Sequence, residues 1–262
     1  MHWFDQETNL AIQEGVSHPQ NYPFFLQPDN PGNHAALLIH GFGSSPRELF
    51  PLAAKLLEQG FRVYGVRLPG HGTSPEDLAQ RQAEEWLAKV EQGYLNLKTM
   101  SEKVSVVGLS TGALLALKLA LHQPLEKLVL LSPFLKLQHF LAPVAGLLSF
   151  IIPYQEKEIS EPERPFYYQR RPLKGIAQIN RLRRQVREQL PQVTAATLVL
   201  ASLGDETIAR GTAEELFSRL GSQVKQFHSY GLNVPHVLTS EENPELQDVL
   251  KRCSDFLTED DE

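Results

Sequence analysis

The pattern G-x-S-x-G at residues 108–112, which read Gly-Leu-Ser-Thr-Gly, constrains the fold of this chain more than any other feature. It follows a β-rich run at 104–107 and precedes a helix-forming run at 113–121. A serine flanked by glycines between a strand and a helix is typical of a sharp turn that presents the hydroxyl group above the sheet. An ordinary strand–helix turn that contains Ser110 is the alternative. The pentapeptide leaves both readings open, so the rest of the chain has to decide between them.

Apolar runs of strand length alternate along the chain with segments of helical period. Predicted strands lie at 35–39, 61–66, 104–107, 125–131, 197–201 and 223–228. Predicted helices lie at 49–57, 83–100, 113–121, 212–220 and 245–257. Residues 1–34 are polar, and only Tyr22 to Leu26 has the character of a short edge strand. This alternation predicts an α/β fold with a mostly parallel central sheet and helices on both faces.

The alternation breaks between about Ser132 and Val193, which indicates an insertion. We expect residues 1–132 and 191–262 to form the core and residues 133–190 to form an insertion in it. The first part of the insertion is apolar but is too short, and too interrupted by proline, to span a bilayer. Its apolar residues are Phe134, Leu135, Leu137, Phe140, Leu141, Val144, Leu147, Leu148, Phe150, Ile151 and Ile152. They are candidates to line an acyl tunnel, to make transient contact with a lipid surface, or to cover the core.

The second part of the insertion is basic within an acidic protein. Such charges form either a solvated helix face or an attraction for anionic substrates or head groups, and the sequence leaves both open. The arginines are Arg164, Arg170, Arg171, Arg181, Arg183, Arg184 and Arg187.

Hydrolysis by Ser110 requires a base to take its proton and an acid to orient that base. Asp205 follows one predicted strand and His236 lies beyond the next, so both fall at carboxyl ends of strands, where such a sheet gathers functional groups. The order serine, aspartate, histidine is the one that this architecture uses. Glu206 is a rival acid, and His228, which ends a predicted strand, is a rival base.

Two backbone N–H groups are the expected donors to an oxyanion formed at the serine. The Thr111 N–H begins the helix that follows the serine, where unpaired donors are available. The second donor is expected in the loop after the first long strand, His40-Gly41-Phe42-Gly43, and we assign it to Phe42. The glycines of this loop also permit a tight turn, and that role is compatible with the donor role.

The charge balance and the cysteine count exclude several function classes. The net charge of −6 argues against a nucleic-acid surface, since phosphate binding depends on clustered positive charge. The single cysteine, Cys253, excludes an internal disulfide and offers no cluster for zinc. We expect no metal and no organic cofactor. The first residues carry no basic region followed by an apolar region, so we expect a cytoplasmic protein.

Together these segments resemble α/β-hydrolases of the monoacylglycerol lipase and bacterial carboxylesterase type, which are grouped with serine aminopeptidase-like hydrolases. The resemblance covers about Ala35 to Leu257. It is carried by residues 40–43, 68–72 (Leu-Pro-Gly-His-Gly) and 108–112, and by the pair Asp205 and His236. The resemblance implies the α/β-hydrolase fold with residues 133–190 as a lid, or cap, and a structural role for His71. It also implies a nucleophile, Ser110, its partners Asp205 and His236, and oxyanion donors at Phe42 and Thr111.

The chain departs from this pattern at two positions. Relatives of this type usually carry Ser-Gly-His at the histidine, where this chain has Val234-Pro235-His236. Methionine is frequent at the position of Thr111, and a polar, β-branched residue there alters the pocket wall without removing the backbone donor.

The sequence therefore predicts a serine hydrolase that cleaves small or medium acyl esters, with monoacylglycerol as one candidate substrate, through an acyl-enzyme on Ser110. A thioesterase, a peptidase or an acyltransferase with the same three residues is an alternative. A protein that retains the fold but only binds a ligand is a further alternative, which the presence of Ser110, Asp205 and His236 argues against. The oligomeric state is left open.

Overall fold

The computed structural model describes residues 2–138, 149 and 152–259. The strands are β1 (Phe24–Leu26), β2 (His34–Ile39), β3 (Arg62–Val66), β4 (Lys103–Leu109), β5 (Lys127–Leu131), β6 (Tyr154–Glu156), β7 (Arg170–Pro172), β8 (Ala196–Ser202) and β9 (Lys225–Tyr230). The helices are α1 (His2–Gln13), α2 (Phe50–Glu58), α3 (Pro75–Leu78), α4 (Ala83–Lys98), α5 (Thr111–Ala120), α6 (Leu173–Gln189), α7 (Thr212–Arg219) and α8 (Leu246–Thr258). Single 3₁₀ turns lie at Pro19–Asn21, Pro46–Leu49, Glu161–Glu163 and Leu190–Gln192.

Seven strands form the central sheet in the order β1-β3-β2-β4-β5-β8-β9. Strand β1 is antiparallel to β3, and every other neighbouring pair is parallel. The strands and helices predicted from the alternation are present, with their ends displaced by a few residues. The mostly parallel sheet and the edge strand near Tyr22 to Leu26 confirm the predicted α/β architecture.

Side chains alternate along each strand, so every strand contributes residues to both faces of the sheet. Helices cover both faces and bury these residues. On β2, Leu37 and Ile39 enter one apolar core, whereas Ala36 and Leu38 enter the other. Helices α4, α5, α6 and α7 contribute to the first core, and α2 and α8 contribute to the second. The predicted helices on both faces are therefore confirmed.

Helix α1 is a correction to the sequence analysis, which predicts only an edge strand within residues 1–34. Trp3 and Phe4 pack on the edge of the sheet, with the Trp3 ring centroid 5.4 Å from that of Phe25 and 5.0 Å from that of Tyr64. Ala11 is fully buried. The helix was missed because its apolar side chains are few and most of the segment is polar.

The segment after β5 contains a two-stranded antiparallel ribbon of β6 and β7, followed directly by helix α6. Ile179, Leu182 and Val186 of α6 are buried in the same core as α5. The division into a core and a lid at 133–190 remains a proposal. The predicted apolar positions 140, 141, 144, 147, 148, 150 and 151 lie outside the described residues.

The arginines of this segment are mostly paired at the surface. Each of four arginines lies within 3.0 Å of a glutamate oxygen, as Arg164 with Glu161, Arg170 with Glu76, Arg181 with Glu84 and Arg187 with Glu215. The surface positions of these four arginines agree with a solvated face, which was one of the two alternatives for the basic part of the insertion. In the parts of the chain that the structure describes, no helix combines the length and the apolar character needed to cross a bilayer.

Candidate active site

Ser110 lies at the carboxyl end of β4, directly before the first residue of α5. Its backbone has φ 56° and ψ −114°, a left-handed conformation that is costly for a residue with a Cβ atom. The flanking glycines are required by close packing. A Cβ atom on Gly108 would lie 2.6 Å from the Ala113 nitrogen, and one on Gly112 would lie 2.7 Å from the Ile39 carbonyl carbon. The turn is thus held between β2 and α5, and Ser110 is directed into a cavity.

The three residues expected to act together lie in contact. The His236 Nε2 atom is 2.9 Å from the Ser110 Oγ atom, and the His236 Nδ1 atom contacts the Asp205 Oδ2 atom. The other oxygen of Asp205 accepts the N–H groups of Thr207 and Ile208 at 2.8 and 3.2 Å. A carboxylate only accepts, so His236 carries its proton on Nδ1 and leaves Nε2 free to accept the serine proton.

The loop that carries His236 is fixed by serines at the ends of two strands. Ser132, which follows β5, donates its hydroxyl to the His236 carbonyl oxygen at 2.7 Å. Ser202, at the end of β8, donates to the Val234 carbonyl oxygen at 2.5 Å. Ser132 itself has φ 46°. The imidazole position is therefore set by strand ends in the sheet.

The two proposed oxyanion donors line the same cavity as Ser110. Thr111 is the first residue of α5, and the Ser110 side chain does not cap this helix. The loop before Phe42 is held by Glu48, whose Oε2 atom accepts the Gly41 N–H at 2.8 Å. Burial raises the pKa of Glu48, although the hydrogen bond from Gly41 acts in the opposite direction. This carboxyl group therefore fixes the backbone of the loop at the residue before Phe42.

Neither rival has the geometry of the expected residues. His228 lies within β9, where its ring packs on Tyr230 at 4.6 Å and its charged neighbours are Arg252 and Asp248 of α8. Glu206 lines the cavity but is exposed, and none of its described contacts is with His236.

His40 and His71 form a buried pair beneath the loop of Phe42. Their rings meet edge to face at 4.9 Å, and the His71 ring also lies 5.8 Å from the Phe42 ring. Burial lowers the pKa of His40 to about 4 and holds the pKa of His71 well below its usual range. Both imidazoles are therefore neutral packing groups under the loop, as the resemblance implied for His71.

The cavity above Ser110 has a volume of about 310 Å³. Its apolar lining residues include Phe42, Leu109, Phe134, Leu137, Ile176 and Ile179. Its polar lining residues include Glu48, Gln155, Glu156, Lys157, Tyr167 and Arg171. A second cavity of about 590 Å³ shares Glu48, Tyr167 and Val237 with the first.

Sequence reasoning did not find Glu48, Ser132, Lys157 or Tyr167, because each reaches the site through a tertiary contact. Arg171 was noted only as one member of an arginine cluster. Across residues 2–138, 149 and 152–259, no three His, Cys, Asp or Glu side chains converge as a metal site requires.

The fold and this geometry define an α/β hydrolase, and comparisons with known proteins agree. A model of the alpha/beta hydrolase family matches residues 36–251, so the chain belongs to this family. It is 29% identical over 208 residues to the thermostable monoacylglycerol lipase of Bacillus sp. (strain H-257), covering 78% of this chain and 82% of that protein.

It is also 27% identical over 225 residues to the carboxylesterase of Bacillus subtilis (strain 168), covering 83% and 91% of the two chains. The solved monoacylglycerol lipase of Paleococcus ferrophilus shares the fold with a TM-score of 0.75 at 19% identity, over 90% of this chain and 97% of that one. Within its family the chain is a lipase- and esterase-like hydrolase.

Proposed function

We propose that the protein hydrolyses carboxylic esters of short to medium acyl chains, with monoacylglycerol as one candidate, through an acyl-enzyme on Ser110. The observation that carries the proposal is the contact series from Asp205 through His236 to Ser110 at the floor of the cavity. A volume of about 310 Å³ is at the small end of ligand sites and favours a compact substrate. The names of the lipase and carboxylesterase relatives support the same reaction class.

In the proposed reaction, the Ser110 Oγ atom attacks the ester carbonyl carbon while His236 Nε2 takes the serine proton. Asp205 stabilises the imidazolium that results. The N–H groups of Phe42 and Thr111 hold the negative oxygen of the tetrahedral intermediate. The alcohol leaves with the proton from His236, and water then attacks the acyl-enzyme by the same steps. Every step uses groups of this chain, the ester and water.

The test is hydrolysis of 4-nitrophenyl esters from acetate to palmitate by the wild type and by Ser110→Ala. We expect Ser110→Ala to lower kcat by about 10⁶-fold while the circular dichroism spectrum is unchanged. Ser218→Ala is the matched control, because Ser218 is exposed on α7 and, among the described residues, its hydroxyl donates a hydrogen bond only to the Glu215 carbonyl oxygen.

The alternatives predict different results in the same experiment. Activity on thioesters or peptides but not on esters would indicate a thioesterase or a peptidase, and acyl transfer to an added alcohol would indicate an acyltransferase. A folded protein whose Ser110 does not react with a fluorophosphonate would contradict the proposed nucleophile and favour a ligand-binding protein. A cytoplasmic location and a lid at 133–190 are part of this proposal, and so is transient contact of that lid with lipid.

A further inference from the structure

Arg171 differs from its neighbouring arginines in where its side chain lies. Successive residues of a strand point to opposite sides, and on β7 this places Arg170 on the surface, 2.7 Å from Glu76, and Arg171 in the cavity above Ser110. Four arginines of the segment pair with glutamates at the surface, whereas Arg171 makes no ion pair with any described residue. Its charge is therefore available to whatever occupies the cavity.

The guanidinium group of Arg171 is held against the loop of Phe42. A Cβ atom on Gly43 would lie 3.9 Å from the Arg171 Nε atom, and the neighbouring Tyr168 N–H donates to the Gly43 carbonyl oxygen at 2.9 Å. The Nε atom is buried and has no hydrogen-bond acceptor. A buried donor without an acceptor is unfavourable, so the position is better explained by an acceptor that a ligand brings.

Lys157 supplies a second positive charge to the lining of the cavity, near enough to Arg171 to be repelled by it. Its ammonium group forms no ion pair or hydrogen bond with the residues that the structure describes. Desolvation, and secondly the positive charge of Arg171, lower the pKa of Lys157 to about 8, although part of the Lys157 side chain is exposed to solvent. A bound anion would relieve this repulsion between the two cations.

The acidic residues of the cavity do not neutralise these charges by direct pairing. Glu48 already accepts the Gly41 N–H, and its carboxyl group acts on Arg171 and Lys157 only from beyond ion-pair distance. Glu156 and Glu206 are exposed at the rim, where water screens them. None of the three lies within ion-pair distance of Arg171 or Lys157 in the described part of the chain.

We propose that Arg171 and Lys157 form a subsite for an anionic group, a carboxylate or a phosphate, carried by the ester that the protein cleaves. The apolar residues of the cavity lining, Phe134 and Ile179 among them, then receive the uncharged part of the same substrate. The substrate class is thus an amphiphilic ester with one anionic end. This inference rests on the proposed esterase function and adds the feature that selects among esters.

The test compares matched esters that differ in charge. For the acyl part, the pair is mono-4-nitrophenyl glutarate and 4-nitrophenyl pentanoate. For the alcohol part, 4-acetoxybenzoate and 4-acetoxyphenyl phosphate are compared with neutral 4-acetoxybenzamide, which also separates carboxylate from phosphate. The measured quantity is the charge preference, the ratio of kcat/KM for the anionic ester to kcat/KM for its neutral partner.

We expect Arg171→Met to lower the charge preference by about 10- to 100-fold in one of the two series, since a charge-assisted pair to a buried guanidinium is lost. Lys157→Met is expected to lower it several-fold, because this ammonium group is closer to solvent. Arg170→Met is the matched control and should leave the preference as in the wild type. Thermal unfolding checks each variant, and if Arg171→Met does not fold, Arg171→Lys and Lys157→Met provide the test.

A charge preference that is the same in the wild type, Arg171→Met and Lys157→Met would overturn the subsite. Failure of the esterase proposal gives a different result, namely no hydrolysis of either partner of any pair. In that case, calorimetric titration with phenyl phosphate and with benzoate measures anion binding to the subsite directly. Binding by the wild type that weakens at least tenfold in Arg171→Met supports the subsite, and absence of binding by the wild type refutes it.

Discussion

Lowering the pH below 6.5 should destabilise the fold through His40, which follows β2 and precedes the loop of Phe42. Its side chain is fully buried, with Nδ1 2.8 Å from the Gly41 carbonyl oxygen and Nε2 3.2 Å from the Leu68 nitrogen. The Leu68 N–H donates to Nε2, so the single proton of the neutral ring lies on Nδ1. A second proton would break the hydrogen bond from Leu68 and bury a charge.

The magnitude follows from the pKa of His40, which burial lowers from 6.5 to about 4 in the folded protein. Because the folded pKa is below the unfolded one, this stability is fully present above pH 6.5 and is lost as the pH falls toward 4. The loss is about 2 kcal/mol at pH 5 and about 3 kcal/mol at pH 4. Burial also lowers the pKa of the neighbouring His71, so His71 adds to the stability that the wild type loses at low pH.

Urea unfolding of the wild type and His40→Gln at pH 7.5 and pH 5 measures this contribution. Glutamine cannot become charged, so we expect the difference in free energy of unfolding between the two proteins to narrow by about 2 kcal/mol at pH 5. His122→Gln, at an exposed histidine after α5, should keep the pH dependence of the wild type. If the wild type and His40→Gln lose the same free energy of unfolding between pH 7.5 and pH 5, the assignment of this loss to His40 is wrong.

Three further changes test the site and the turn that carries it. Ser132→Ala removes the 2.7 Å hydrogen bond to the His236 carbonyl oxygen, and steady-state kinetics should show a fall in kcat of about tenfold with KM little changed. Asp205→Asn should lower kcat by about 10⁴-fold, because an amide that donates to His236 favours the wrong tautomer; a value near that of the wild type would contradict its role. Gly112→Ala places a methyl group 2.7 Å from the Ile39 carbonyl carbon, and we expect more than about 4 kcal/mol of destabilisation or loss of soluble expression.

The features that sequence predicts best are those whose cause is local in the chain. The turn at Ser110 is encoded by the strand before it, the helix after it and the two glycines, which all lie within a few residues. The choice of His236 over His228 used only chain order and loop position, and the structure places His236 at the serine and His228 beside α8. The chemical roles of these residues stay predictions until the kinetics are measured.

The remaining features depend on packing between distant segments. Arg170 and Arg171 are adjacent residues of the same type, so the sequence does not show which of them enters the cavity. The pairing of β7 with β6 sets the orientation of the strand and places Arg171 in the cavity. Helix α1 is stabilised by Trp3 on Tyr64, a contact across the fold that leaves no periodic signal in a mostly polar segment. The polar lining of the cavity, unlike the turn at Ser110, is therefore not apparent from the sequence pattern.

Glu48 shows how the two halves of the proposed site are placed relative to each other. Its side chain accepts the Gly41 N–H at 2.8 Å, and its carbonyl oxygen accepts the buried Thr239 hydroxyl at 2.5 Å. One residue thus ties the loop of Phe42 to the loop of His236, while the serines after β5 and β8 hold the latter from the sheet. This loop, held by hydrogen bonds from three other segments, brings His236 within 2.9 Å of the Ser110 hydroxyl with Pro235, not glycine, before the histidine.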